Sequence, residues 1–145
     1  MQKPVKRIIA IAFVVVVIMG VGLGIYLYNK PHADISKMTP DFILDAKTLF
    51  DDFESDEVNA SQKYIDKVLQ VTGKLAEINR NRDGSVMLSL EDVFFGVTCS
   101  IDSSTVTIVT DKIELLQPGQ QVTIKGQCDG MLTDVKLSHC ILVDN

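Results

Sequence analysis

The stretch VLQVTGKLAEINRNRDGSVMLSLE, Val68 to Glu91, decides the fold. Its first half alternates apolar and polar residues, with Leu69, Val71, Gly73 and Leu75 on one face, which is the period of a β-strand. The alternation then slips, so that Ile78 resumes the apolar face as a β-bulge allows. NRDG, Asn81 to Gly84, supplies a turn, and Val86, Leu88 and Leu90 alternate cleanly beyond it.

Working outward toward the C-terminus, FFGVTCSI places Phe95, Val97, Cys99 and Ile101 on one side of a third strand. DSSTVTIVTDKIELLQPG is mixed: its β-branched residues favour strand, whereas TDKIELL reads as a short helix stopped by Pro118 and Gly119. QQVTIKGQCDG then aligns Val122, Ile124, Gly126 and Cys128, with a turn expected near Gly130 and Met131. LTDVKLSHCILV aligns Val135 and Leu137 before a register shift to Cys140 and Leu142. Three strands, a helical interruption and two strands, with a kinked first strand, is the order of a five-stranded OB-fold, a small all-β Greek-key barrel. An SH3-like barrel is the alternative that the same spacing permits.

Toward the N-terminus the chain changes character. Ile8 to Tyr28 reads IIAIAFVVVVIMGVGLGIYLY, 21 residues without a charge. As a helix they rise roughly 31 Å, the thickness of a bilayer's hydrocarbon. The bulky YLYNKPH that follows lacks the small residues of a signal-peptide cleavage site, so a retained transmembrane anchor is expected over 8–28, after a cytoplasmic segment 1–7. Lys3, Lys6 and Arg7 precede the span and only Lys30 closely follows it, which places the N-terminus inside and the rest in the periplasm. Gly20 and Gly24 form a G-x-x-x-G that could pair two such helices into a homodimer, although glycines are common in membrane spans generally. Residues 29–39 read as a tether. A helical segment over 40–65 is expected to pack on the barrel of residues 66–145. It opens on Thr39 as cap and Pro40 as first helical residue, and carries Phe42, Ala46, Leu49, Phe50 and Phe53 on one face. A second short helix is expected over 56–64.

Three phrases resemble the tRNA_anti-like family of bacterial OB-fold proteins, which are often membrane-anchored or lipoproteins: YIDKVLQVTGKLAEI (Tyr64 to Ile78), LQPGQQVTIKGQCDG (Leu116 to Gly130) and DVKLSHCILV (Asp134 to Val143). The resemblance covers about the last two thirds of the chain. It implies the fold and brings no catalytic residues.

Charge narrows the function. The chain carries 14 Lys+Arg and 19 Asp+Glu; four of the basic and none of the acidic residues lie in the first thirty, so residues 31–145 carry 10 − 19 = −9. An acidic domain is a poor match for a phosphate backbone. The face of the second and third strands, where OB-folds hold single strands, would present Met87, Ser89, Phe94, Thr98 and Ser100, and no Lys or Arg occurs between Asp83 and Asp111. Arg80 and Arg82 are the one close basic pair in the barrel segment and could hold a carboxylate or phosphate beside Asn79 and Asn81, although solvated residues of a hairpin turn are the favoured reading.

No catalytic motif is present, and His139 and Cys140, as neighbours on a strand, should point to opposite faces. Cys99, Cys128 and Cys140 lack the C-x-x-C knuckle of a zinc site, and no cofactor or metal is expected. A Cys128–Cys140 bond is disfavoured, since a turn at Gly130 would leave those residues some 20 Å apart. A disulfide between Cys99 and Cys140, on neighbouring parallel strands, is preferred; it would close a loop of about forty residues worth on the order of 4 kcal/mol. Three buried thiols are the alternative. The expectation is a non-enzymatic, membrane-anchored binding module for another envelope protein or a small ligand. A redox or enzyme-accessory role of its cysteines is the alternative, and an oligonucleotide-binding role stands behind both.

Overall fold

In the computed structural model, residues 3–28 and 34–144 are described, the side chains of the first helix being described from 11 to 25. The chain divides into two units, Met1–Ala33 and Asp34–Asn145.

In the first unit, α1 runs unbroken over Lys3–Tyr28, 26 residues. Among the described residues no helix is long and apolar enough to cross a membrane. The expected span 8–28 is therefore not shown; the side chains of Ile8 and Tyr28, its limits, lie outside the described residues. Gly20 and Gly24 face open space, and the pairing through them is likewise not shown.

The second unit is a closed barrel. β2 (Val68–Arg80), β3 (Val86–Leu90), β4 (Val97–Ile101), β5 (Gln121–Met131) and β6 (Val135–Val143) lie in the order β2-β3-β4-β6-β5, and β5 returns to β2. All neighbours are antiparallel except β4 and β6. β2 serves two partners because it is kinked. Val68–Lys74 pairs with β5 and Leu75–Arg80 pairs with β3, the register slipping between Leu75 and Glu77 where the sequence pattern slips.

The expected helix start at Thr39 and Pro40 is not observed. Phe42–Asp45 is instead a sixth strand, β1, parallel to Leu69–Thr72 of β2. It occupies the edge of β2 that the short β3 does not reach, where unpaired backbone groups would otherwise be exposed. Asp41 secures the junction: its backbone N–H donates to the Val68 carbonyl at 2.7 Å, and its carboxylate accepts the Val68 N–H at 2.9 Å. The helix α2 (Ala46–Ser55) starts after β1, and α3 (Glu57–Tyr64) follows with the Asp56 carboxylate capping the Asn59 N–H. Ala46, Leu49 and Phe53 of α2 and Ala60 and Tyr64 of α3 join Leu69, Leu75, Leu88, Leu90 and Val97 in one core.

The end of the expected tether, residues 29–39, packs on the barrel. Ile35 is buried in a 3-10 turn, Ile35–Lys37, and Lys125 of β5 donates to the carbonyls of Ser36 and Met38 at 3.0 and 2.9 Å. Between β4 and β5 the helical interruption, α4, is longer than the expected TDKIELL. It begins at Ser103 and reaches Glu114, kinked at Val109. Its β-branched threonines are accommodated because Thr107 and Thr110 donate to the carbonyls of Ser103 and Val106 four residues back, at 2.9 and 2.8 Å.

Candidate functional site

The β3–β4 loop and the β5–β6 hairpin meet at one end of the barrel, because β4 and β6 start side by side: Val97 pairs with Val135, whose N–H donates to the Gly96 carbonyl at 3.0 Å. The loop is tightly built. Glu91 takes a left-handed backbone (φ 68) and bridges to Lys74, its N–H donating to the Lys74 carbonyl and its carboxylate accepting the Lys74 N–H. Asp92 then accepts the N–H groups of Phe94 and Phe95 at 2.8 and 3.1 Å, which holds its carboxyl below the ordinary carboxylate range. Gly96 closes the loop where any Cβ would collide with the Leu90 carbonyl.

The consequence is that Phe94 and Phe95 project outward, 68% and 64% exposed, beside the partly exposed Val93. Phe95 is thus not a core residue of the third strand as its spacing predicts, and Phe94 is not on that strand's outer face. On the adjoining hairpin the turn falls at Leu132–Asp134, two residues later than expected, and lifts Leu132 into solvent, 83% exposed. Gly130 (φ 107) lies within β5 and lets Ile65, at the end of α3, approach. Between α3 and the hairpin opens a cavity of about 350 Å³, walled by Ile65, Met131 and Leu132 and edged by Glu57, Asp129 and Lys136. A second cavity of about 310 Å³ lies between the end of α4, β5 and β6, under the Lys112–Asp144 ion pair.

Arg80 and Arg82 are elsewhere. They stand exposed at the opposite end of β3, in the β2–β3 turn, so the structure does not bring them together with Phe94. The Asn81 side-chain amide donates to Ser85 Oγ at 2.9 Å within that turn. The outer residues of β3 and β4 are Met87, Ser89, Thr98 and Ser100, with Ser89 and Thr98 buried between their neighbours. Neither strand contributes an aromatic ring to that face.

The contact of His139 with Asp102 is what sequence reasoning missed. An extra residue in β6, where Lys125 pairs with Ile141 and Gln127 with Ser138, puts His139 in a left-handed bulge (φ 51). From there its Nδ1 reaches a carboxylate oxygen of Asp102, at the start of α4, at 2.7 Å. The charge pattern alone holds no signal for this contact, since 37 residues separate the pair. Among the described residues no cluster of His, Cys, Asp and Glu has the makings of a metal site. All three cysteines are buried free thiols. The expected disulfide between Cys99 and Cys140 is not shown.

A closed five-stranded mixed barrel of this order defines an OB-fold protein, not the SH3-like alternative. The tRNA_anti-like family profile matches residues 1–141, and the chain belongs to that family. No curated protein matches the sequence. Among solved structures, a conjectured nucleic acid-binding lipoprotein from Klebsiella pneumoniae has 21% identity and a TM-score of 0.57 over 79% of this chain and 99% of that one. An asparaginyl-tRNA synthetase from Entamoeba histolytica has 14% identity and a TM-score of 0.43, over 55% of this chain and 21% of that one. The first likeness is one of fold.

Proposed function

We propose that this chain is a non-enzymatic binding module, anchored by α1 in the cytoplasmic membrane with its barrel outside, that engages a protein partner through the end of the barrel bearing Phe94, Phe95 and Leu132. The observation that carries the reading is the pair of phenylalanines. A hydrogen-bonded loop holds both rings in solvent beside an apolar hairpin tip, and rigid exposed aromatics are what protein interfaces are built around. The cavity edge and the adjoining turns carry Glu57, Asp92, Asp129 and Asp134 against Lys136, so the matching partner is an envelope protein presenting an apolar segment flanked by Lys or Arg.

The name of the Klebsiella lipoprotein invites a nucleic-acid reading for this chain too. Against it stand the absence of stacking aromatics on the β3–β4 face and the net charge of −9 over residues 31–145. Burial of all three thiols weighs against a redox role. The anchor is supported by the continuous 26-residue helix and by the uncharged 21 residues within it. The outside placement is supported by Lys3, Lys6 and Arg7 before them.

Photo-crosslinkers placed at Phe94 and Leu132 in intact cells, with one at Arg82 as control, test the site. A discrete protein adduct from the first two positions, absent from the third and lost in Phe95→Ser, is expected; adducts only to nucleic acid, or none, defeat the proposal. A reporter fused after Asn145 and carbonate extraction of membranes test the placement separately.

A further inference from the structure

At the end of β5 and β6 away from their hairpin, the pairing of the two strands reaches Thr123–Val143. Gln121 and Val122, at the start of β5, pair with Lys74 and Gly73 of β2. α4 stops nearby at Glu114, and a turn through Pro118 and Gly119 carries the chain into β5. Gly119 is left-handed there (φ 93), and its N–H donates to the Leu75 carbonyl at 2.7 Å. The cavity of about 310 Å³ lies among these pieces, at the lower end of the size range of small-molecule sites.

Most of its wall is aliphatic. Val122 is buried, Leu116, Leu142 and Val143 are half-buried, and Leu115 lines the cavity while 77% exposed. An apolar body seated there removes that leucine from water. The charged part of the wall is one ion pair: Lys112 donates to both carboxylate oxygens of Asp144 at 2.6 Å, joining the last turn of α4 to the end of β6. Both side chains are half or more exposed, and so wet a pair adds little to stability. Each partner keeps capacity for a ligand. An ammonium has three N–H donors, of which Asp144 takes two, and each carboxylate oxygen has a second lone pair.

The pair selects the charge of what binds. An anion drawn to Lys112 meets the Asp144 carboxylate, and a cation drawn to Asp144 meets the Lys112 ammonium. A zwitterion laid head to tail satisfies both, because four charges then alternate around a ring while the Lys112–Asp144 bond stays intact. We propose that this cavity binds the free zwitterion of an aliphatic α-amino acid. Its ammonium lies against Asp144, its carboxylate against Lys112, and its side chain against Leu115, Leu142 and Val143. The site is independent of the phenylalanine-bearing end and stands whether or not that end takes a protein.

The test is titration calorimetry of the full chain in lipid nanodiscs with L-leucine as probe. Saturable binding is expected. It should be at least about tenfold weaker for isocaproate, which lacks the ammonium, for isoamylamine, which lacks the carboxylate, and for glycine, which lacks the apolar body; tenfold is the loss of about one good contact. Lys112→Met and Asp144→Asn should each weaken leucine by about tenfold, and Phe94→Ser should leave it unchanged. No leucine binding at millimolar concentration overturns the proposal, as does binding of any of the three other probes as tight as that of leucine. Leucine binding that survives both charge variants, or is lost in Phe94→Ser, lies elsewhere and overturns it too. Should a variant fold poorly, the four probes on the natural chain decide alone.

Discussion

The Tyr64 hydroxyl donates a 2.6 Å hydrogen bond to the Asp52 carboxylate, tying the end of α3 to α2 beside an aromatic contact of Tyr64 with Phe42 of β1. The bond, with Lys63 nearby, lowers the Asp52 pKa from 3.8. A lowered carboxyl stabilises the fold above its unfolded pKa and loses that contribution as pH falls through the folded value. Tyr64→Phe keeps the buried ring and removes the bond. It should cost about 1 kcal/mol at pH 7, the exposure of Asp52 discounting a charged hydrogen bond. Urea unfolding at descending pH should show the gap between variant and natural chain closing below the ordinary carboxylate range.

Gly126 and Cys140 are coupled through space. Gly126→Ala forces a methyl against Cys140 Sγ and the Ser138 carbonyl, and overpacking of this kind costs about 1–3 kcal/mol. A Cys140→Ala background removes the closest of these clashes, so the double variant should be more stable than the sum of the singles predicts. A thermal-unfolding cycle over the four proteins checks this.

The left-handed backbone at His139 ranks its replacements. Asn tolerates that conformation, whereas a β-branched residue is penalised by about 1–2 kcal/mol. His139→Val should therefore unfold at a lower temperature than His139→Asn, although both lose the contact with Asp102.

Within the β3–β4 loop, scaffold and surface should separate. Phe94→Ser should leave stability within about 0.5 kcal/mol, since the ring touches solvent. Gly96→Ala, which drives a methyl into the Leu90 carbonyl, should destabilise the barrel by at least about 2 kcal/mol. Denaturant midpoints distinguish the two outcomes.

Burial pushes the Cys128 thiol from 9.0 up to about 11, so its thiolate fraction near neutral pH falls about a hundredfold. The native chain should react with an alkylating reagent at Cys128 only on unfolding. A thiol pKa raised by folding contributes stability below the unfolded pKa and loses it as pH rises. The natural chain should thus lose stability between about pH 9 and 11 more steeply than Cys128→Ala.

The five barrel strands were legible because alternation of apolar residues is a local property, and even the slip after Leu75 announced the kink in β2. Phe42 to Asp45 misled because Thr39-Pro40-Asp41 is a sound helix start and phenylalanines at helical spacing fit an amphipathic face. The open edge of β2, a feature of the assembled sheet, claimed those residues as a strand. Phe95 misled by parity alone: its spacing matches Val97, but the Asp92 turn ends the strand period before it begins.

The sequence by itself determined the order of strands, the acidic charge of the barrel segment, the uncharged stretch near the N-terminus and the absence of a catalytic motif, all of which depend on residue type and near-neighbour spacing. Only the tertiary structure decided which residues meet. It set Arg80 and Arg82 at one end of the barrel and Phe94 at the other, brought His139 to Asp102, and turned Cys140 into the core. The physical reason is that a single inserted residue in a strand inverts the direction of every side chain beyond it. Where that insertion falls is fixed by pairing with a partner strand, not by the strand's own sequence.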